Sequence, residues 1–154
     1  MKSIRTTALS ALVLLLAPSL FAADFGVRAG KLSDADTEFV GAELLFDLGA
    51  VNVNPNVEYW LQDDITAGTA NIDLTVDVGH FSRLTPYVGA GVGLQYIDLD
   101  TGNDTTDLLG NLIGGVTFDL DFLKPYAQVK YSRVFENDDL EESDDIAFTV
   151  GLRF

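Results

Sequence analysis

Apolar and polar residues alternate along the chain in eight stretches. The last shows it most plainly. Ile146, Phe148, Val150, Leu152 and Phe154 fall on one face, and Ala147, Thr149, Gly151 and Arg153 on the other. A period of two predicts a strand with two unlike faces. Seven earlier stretches repeat the pattern, over 24–31, 38–48, 51–62, 69–79, 86–99, 107–121 and 125–135. In the fourth, Ala70, Ile72, Leu74, Val76 and Val78 oppose Asn71, Asp73, Thr75, Asp77 and Gly79. In the second, Val40, Ala42, Leu44, Phe46 and Leu48 form the apolar face. Pro55 sits on the apolar face of the third stretch. It has no N–H for the ladder, so a bulge or distortion is expected there.

The links between stretches also alternate. Those after the second, fourth and sixth are short or apolar. Those after the odd stretches are polar and acidic, as in 63–68, 101–106 and 137–144. Short turns at one end and longer loops at the other predict a membrane barrel with both chain ends on the turn side. A tilted membrane strand needs roughly 9–11 residues, whereas strands of soluble sheets cluster near 5–6. The stretches here match the longer class. The faces opposite the apolar ones carry polar residues and glycine, which suits a lumen; the apolar faces would meet lipid. The expected fold is all-β: an eight-stranded antiparallel up-and-down transmembrane β-barrel over 23–154.

The N-terminus changes the setting. Lys2 and Arg5 precede an apolar run over 8–17, and Pro18, Ser19, Ala22 and Ala23 follow. A short apolar run ending in small residues predicts a secretory signal peptide over 1–22, with cleavage after Ala22 or alternatively Ala23. Without Lys2 and Arg5, seven basic residues stand against 24 acidic ones, a net charge near −17. Such a charge argues against nucleic acid and anionic lipid as direct partners. The chain has no Cys, hence no disulfide or thiol chemistry.

Inward positions collect Arg28, Glu43, Glu58, Asp73, Asp77, Asp119, Lys130 and Arg153. Buried charges persist when paired and hydrogen-bonded. A salt-bridge network is therefore expected, with Arg28, Lys130 and Arg153 as its cations. Eight strands enclose a lumen that side chains alone can fill, so the first expectation is a plugged barrel. The acidic excess supports the alternative of a small cation-preferring channel.

The run Thr85 to Tyr96 (T-P-Y-V-G-A-G-V-G-L-Q-Y), the run Lys124 to Ser132 (K-P-Y-A-Q-V-K-Y-S) and the terminal Phe154 resemble the small bacterial outer-membrane β-barrel family of OmpA-type, OmpX-type and opacity-type proteins. The resemblance implies a barrel exported to the cell outer membrane of a Gram-negative bacterium. It also implies that Phe148, Val150, Leu152 and Phe154 form the terminal signal read by the barrel-assembly machinery. Outer-membrane lipids and lipopolysaccharide are the implied surroundings, and a monomer is expected. Aromatic belts would comprise Phe25, Phe46, Phe118, Phe122 and Phe154 near the periplasm, and Tyr59, Tyr96, Tyr131 and Phe135 outside.

The chain also resembles lipid A 3-O-deacylases, barrels whose chemistry needs His and Ser two apart on one strand. The matching place reads Lys130-Tyr131-Ser132, with Lys where the base belongs. His80-Phe81-Ser82 has the spacing but lies in a turn on the periplasmic side. A lipid A-modifying enzyme is thus the least favoured reading, and neither a catalytic residue nor a cofactor is expected. Carboxylates at Asp98, Asp100, Asp104 and Asp107, and over 136–145, could hold Ca²⁺ or Mg²⁺ through oxygen ligands. They lack the spacing of a helix-flanked calcium loop, so a solvated acidic surface is expected and no resident metal. The expected role is membrane-structural, or surface interaction through short acidic extracellular loops.

Overall fold

The structure, a computed structural model, describes residues 23–63, 65–99, 103–135 and 144–154. The expected signal peptide lies outside these residues. Eight strands form: β1 (Ala23–Leu32), β2 (Thr37–Asp47), β3 (Asn52–Leu61), β4 (Ile65–Asp77), β5 (Leu84–Leu99), β6 (Asn103–Phe118), β7 (Lys124–Phe135) and β8 (Asp144–Arg153). Each pairs antiparallel with the next, and β8 returns to β1, closing a barrel in chain order. Closure satisfies the backbone ladder all round and leaves no edge, the condition for a sheet in lipid.

The alternation read from the sequence sets the two walls. Val57, Ile72, Val92, Leu112, Phe148 and Val150 are among the outward residues left exposed. The inward row is buried and mostly polar. Phe46 departs from expectation: it keeps the outward register, opposite Ala23 and Val53, yet is buried. The other expected members of its belt, Phe25, Phe118, Phe122 and Phe154, are exposed at the termini end. Tyr59, Tyr96 and Phe135 are exposed toward the opposite end. Tyr131 is half-buried, its hydroxyl donating to Asp144 Oδ2 at 2.7 Å.

At Pro55 the ladder shows the expected distortion, in the form of a gap and not a bulge. The pairing skips Leu44 and Leu45 opposite Pro55 and Asn54, while Glu43↔Asn56 and Phe46↔Val53 on either side keep one register, with no extra residue between. The donor that Pro55 lacks is replaced locally: Asn54 Nδ2 donates to the Leu44 carbonyl at 2.8 Å. A side-chain amide thus satisfies the acceptor that proline would orphan. One expectation, concerning the loops, needs correction. Most of 63–68 and 101–106 is strand, since Ile65 pairs with Leu99 and Leu99 with Asn103. Polar composition suggested loops, but cross-strand pairing overrides weak strand propensity. Three of the four links at that end are therefore no longer than the turns at the termini end.

Those turns carry the positive-φ residues that tight reversals need. In the β2–β3 turn, Gly49 has φ 90° and its N–H donates to Asp47 Oδ1 at 2.7 Å. Leu48 N–H closes that turn onto the Val51 carbonyl at 3.0 Å.

Candidate functional site: the lumen

Six charged side chains on six strands meet inside the barrel. Arg28 (β1), Lys130 (β7) and Arg153 (β8) face Glu43 (β2), Glu58 (β3) and Asp73 (β4), and all six are buried. Three cations meet three anions, so the formal charge of the cluster is zero.

Geometry divides the six into two levels. Toward the termini end, Arg153 Nε donates to Glu43 Oε1 at 2.8 Å, and Arg28 Nη1 lies 3.5 Å from Glu43 Oε2. Arg153 also stacks over the Tyr126 ring, 4.0 Å from its centroid. Toward the other end, Lys130 Nζ donates to Glu58 Oε1 at 2.7 Å, and Arg28 Nε lies 3.5 Å from the same oxygen. Arg28 thus ties the two levels together by charge alone, because none of its nitrogens meets an acceptor in hydrogen-bonding geometry. Between the levels, Asp73 has amides rather than a cation. Asn56 Nδ2 donates to its Oδ2 at 2.8 Å and Asn111 Nδ2 to its Oδ1 at 3.1 Å. Asn111 also donates to Asn71 Oδ1, and Asn71 to Asn56 Oδ1, at 2.9 and 3.2 Å. Multiple donors and acceptors per amide let four residues close such a network.

Glycine makes the plug fit. A Cβ on Gly151 would lie 2.4 Å from the Tyr126 ring, and one on Gly115 would lie 2.5 Å from Tyr87. Eight strands leave too little width for a side chain at every inward position. A glycine on one strand therefore accommodates a ring from another.

The plug separates two cavities. One, of about 370 Å³, opens at the termini end and is lined by Asp24, Asp47, Asp77, Asp119, Lys124 and Tyr87, among others. The other, of about 300 Å³, opens at the opposite end above Glu58 and Lys130. Two of the expected network members lie outside the plug. Asp77 is exposed, 3.4 Å from Asn52 Nδ2, and exposed Asp119 accepts the Asp121 N–H at 3.1 Å. Both sit near the strand ends, where β4 and β6 leave the barrel.

Sequence reasoning missed a small apolar cluster inside the barrel. Leu32, Phe39 and Ala147 are buried there, and Trp60 packs against them. Leu109 and Ile113 also point inward and are buried. Phe39 lies between the outward Glu38 and Val40 in a run where alternation in hydrophobicity fails, so only the register through Trp60 assigns its face.

The residues weighed for enzyme chemistry lie apart. His80 is exposed in the β4–β5 turn, with Nδ1 3.0 Å from Thr85 Oγ1. Lys130 is committed to Glu58. Among the described residues, no group of three or more His, Cys, Asp or Glu side chains suits a metal ion.

No protein-family model and no curated protein matches the chain. Solved structures do. The chain is similar to Neisserial surface protein A, with a TM-score of 0.68 and 13% identity over 85% of this chain and 94% of that one. It is similar to the N-terminal β-barrel domain of Pseudomonas aeruginosa OprF, with a TM-score of 0.64 and 16% identity over 85% and 97% of the two chains. It is also similar to the de novo designed TMB2.3, with a TM-score of 0.51 and 16% identity over 86% and 91%. Identities this low speak for the fold alone, and a designed protein shares it. The chain has the fold of the small eight-stranded outer-membrane β-barrels.

Proposed function

We propose that the chain is an outer-membrane barrel with a closed lumen, acting as a structural element of the membrane or as a surface-interaction module through its acidic outer end. The termini end faces the periplasm in this reading, and the end carrying Asp34, Asp98, Asp104 and Asp144 faces outward. Lipid, lipopolysaccharide and the assembly machinery are its surroundings, the exposed row Phe148, Val150, Leu152 and Phe154 is the assembly signal, and the barrel stands alone as a monomer. No catalytic role is assigned to any residue.

One observation carries the closed-lumen reading. The plug between the two cavities is buried and electrically neutral. An ion crossing it would have to displace charge-assisted hydrogen bonds, among the strongest non-covalent contacts available to side chains. The second reading, a cation-preferring channel, draws on the aspartates of the termini-end cavity and requires the plug to open.

Planar-bilayer conductance of the refolded chain tests both. Gel mobility before and after boiling shows that the barrel is folded. Silence from folded, inserted barrels is expected. Discrete cation-selective steps that vanish in Asp73→Asn and Asp77→Asn would replace this reading with the channel.

A further inference from the structure

Among the described residues, seven of the eight strand pairings run without interruption. The β2–β3 pairing is broken, over Leu44 and Leu45 opposite Pro55 and Asn54. In hydrocarbon an unpaired backbone group is costly. The outward side chains around the break, Ala42, Leu44, Val57, Ala70 and Ile72, are apolar and carry no donor. A donor for the Leu44 carbonyl must therefore come from the lumen side.

It comes from Asn54, a buried residue whose side chain also reaches the plug. Its Nδ2 donates to the Leu44 carbonyl at 2.8 Å and to Glu43 Oε2 at 3.1 Å. An amide nitrogen has two N–H groups, so one serves the wall and the other the plug. Its Oδ1 accepts from Asn56 Nδ2 at 3.3 Å, and Asn56 donates in turn to Asp73. Glu43 is the carboxylate that holds Arg153. A gap in the wall and a charge network in the lumen are thus pinned by one residue.

We propose that Asn54 is a latch that couples the barrel wall to the plug. The β2–β3 seam opens first at Pro55, because it has fewer backbone bonds to break there than the uninterrupted seams have. Opening at that point withdraws the Asn54 amide from Glu43. Conversely, a shift of Glu43 draws the amide away from the Leu44 carbonyl and loosens the seam. The wall is thus a control point for the lumen. The soft seam exists whether or not the lumen conducts; only its link to the plug rests on the closed-lumen reading.

The test uses the refolded full chain in lipid vesicles. Hydrogen exchange read by mass spectrometry should be faster over 42–46 than along the uninterrupted β4–β5 pairing. Pro55→Ala restores the missing N–H and should slow exchange over 42–46. Asn54→Ala should speed it about tenfold, the weight of one buried hydrogen bond lost with its partner stranded. In the Pro55→Ala background the same change should have less than about a threefold effect, since the two substitutions act on one acceptor. Equal effects in both backgrounds would overturn the latch. If Asn54→Ala does not fold, an unchanged exchange rate in Pro55→Ala alone would overturn it. In planar bilayers, Asn54→Ala should give brief openings that the unmodified chain and Pro55→Ala lack. A loosened seam with a silent lumen would overturn the coupling to the plug. Conductance by the unmodified chain would end the closed-lumen reading and the link to the plug with it, while the exchange cycle would still decide the latch.

Discussion

The two walls of this barrel come from the same alternation of residues, yet they are held to different standards. On the outer wall, Val92, Leu112, Phe148 and Val150 need only be apolar and roughly strand-shaped, since lipid conforms to whatever they present. On the inner wall each group has a particular partner. Glu43 meets Arg153, Arg28 and Asn54 Nδ2, the last at 3.1 Å, and Asp73 meets two amides. Lipid is a solvent and forgives substitution. The lumen is a solid, and a removed partner leaves a charge with neither water nor counter-ion.

The sharpest way to test that contrast is at Glu43. Glu43→Ala leaves the buried Arg153 without its carboxylate partner and Arg28 with Glu58 alone. Breaking a buried pair in this way costs about 3–5 kcal/mol. Urea unfolding in lipid vesicles, followed by Trp60 emission, should show it as a large loss of midpoint. An effect below about 1 kcal/mol, typical of an exposed pair, would mean that water reaches the plug and that the closed-lumen reading is wrong.

The outer wall should fail only when its polarity changes. Val150 lies midway along β8, paired with Ala29 and Ala127. Val150→Lys places a charge in hydrocarbon and should cost about 2–4 kcal/mol. Val150→Leu should stay within about 0.5 kcal/mol, as a surface change does. Equal costs for the two would mean that this face packs against protein.

Of the three disruptive changes, the one that fills space inside has the smallest expected effect. Gly151→Ala drives a methyl group into the Tyr126 ring that underlies Arg153. Overpacking of this kind costs about 1–3 kcal/mol. The same change at Gly114, where an added Cβ meets nothing within 4 Å, should be near neutral. A reversal of that order would contradict the packing of Tyr126 over Gly151.

Much of the molecule was legible before any coordinates. The eight strands, their faces and the inward set of Arg28, Glu43, Glu58, Lys130 and Arg153 follow from a period of two, because the backbone pleat imposes that period on every strand. Where polarity blurred, as over 63–68 and 101–106, the reading stopped short of the real strand ends. Composition reports the medium around a segment and not the hydrogen bonds it makes with a neighbour.

What remained for the tertiary structure was everything that runs around the circumference. Arg153 meets Glu43 across 110 residues of chain, two strands away through the closing seam. Asp77 and Asp119 share the inward parity of the plug residues but sit at the strand ends, so water takes the place of a cation. Alternation assigns a residue to a face, whereas register and strand tilt assign it a height and a neighbour. The sequence by itself determined a barrel with an apolar outside and a charged inside. Only closure decided that three cations and three anions would cancel across two adjoining levels and leave a cavity at either end.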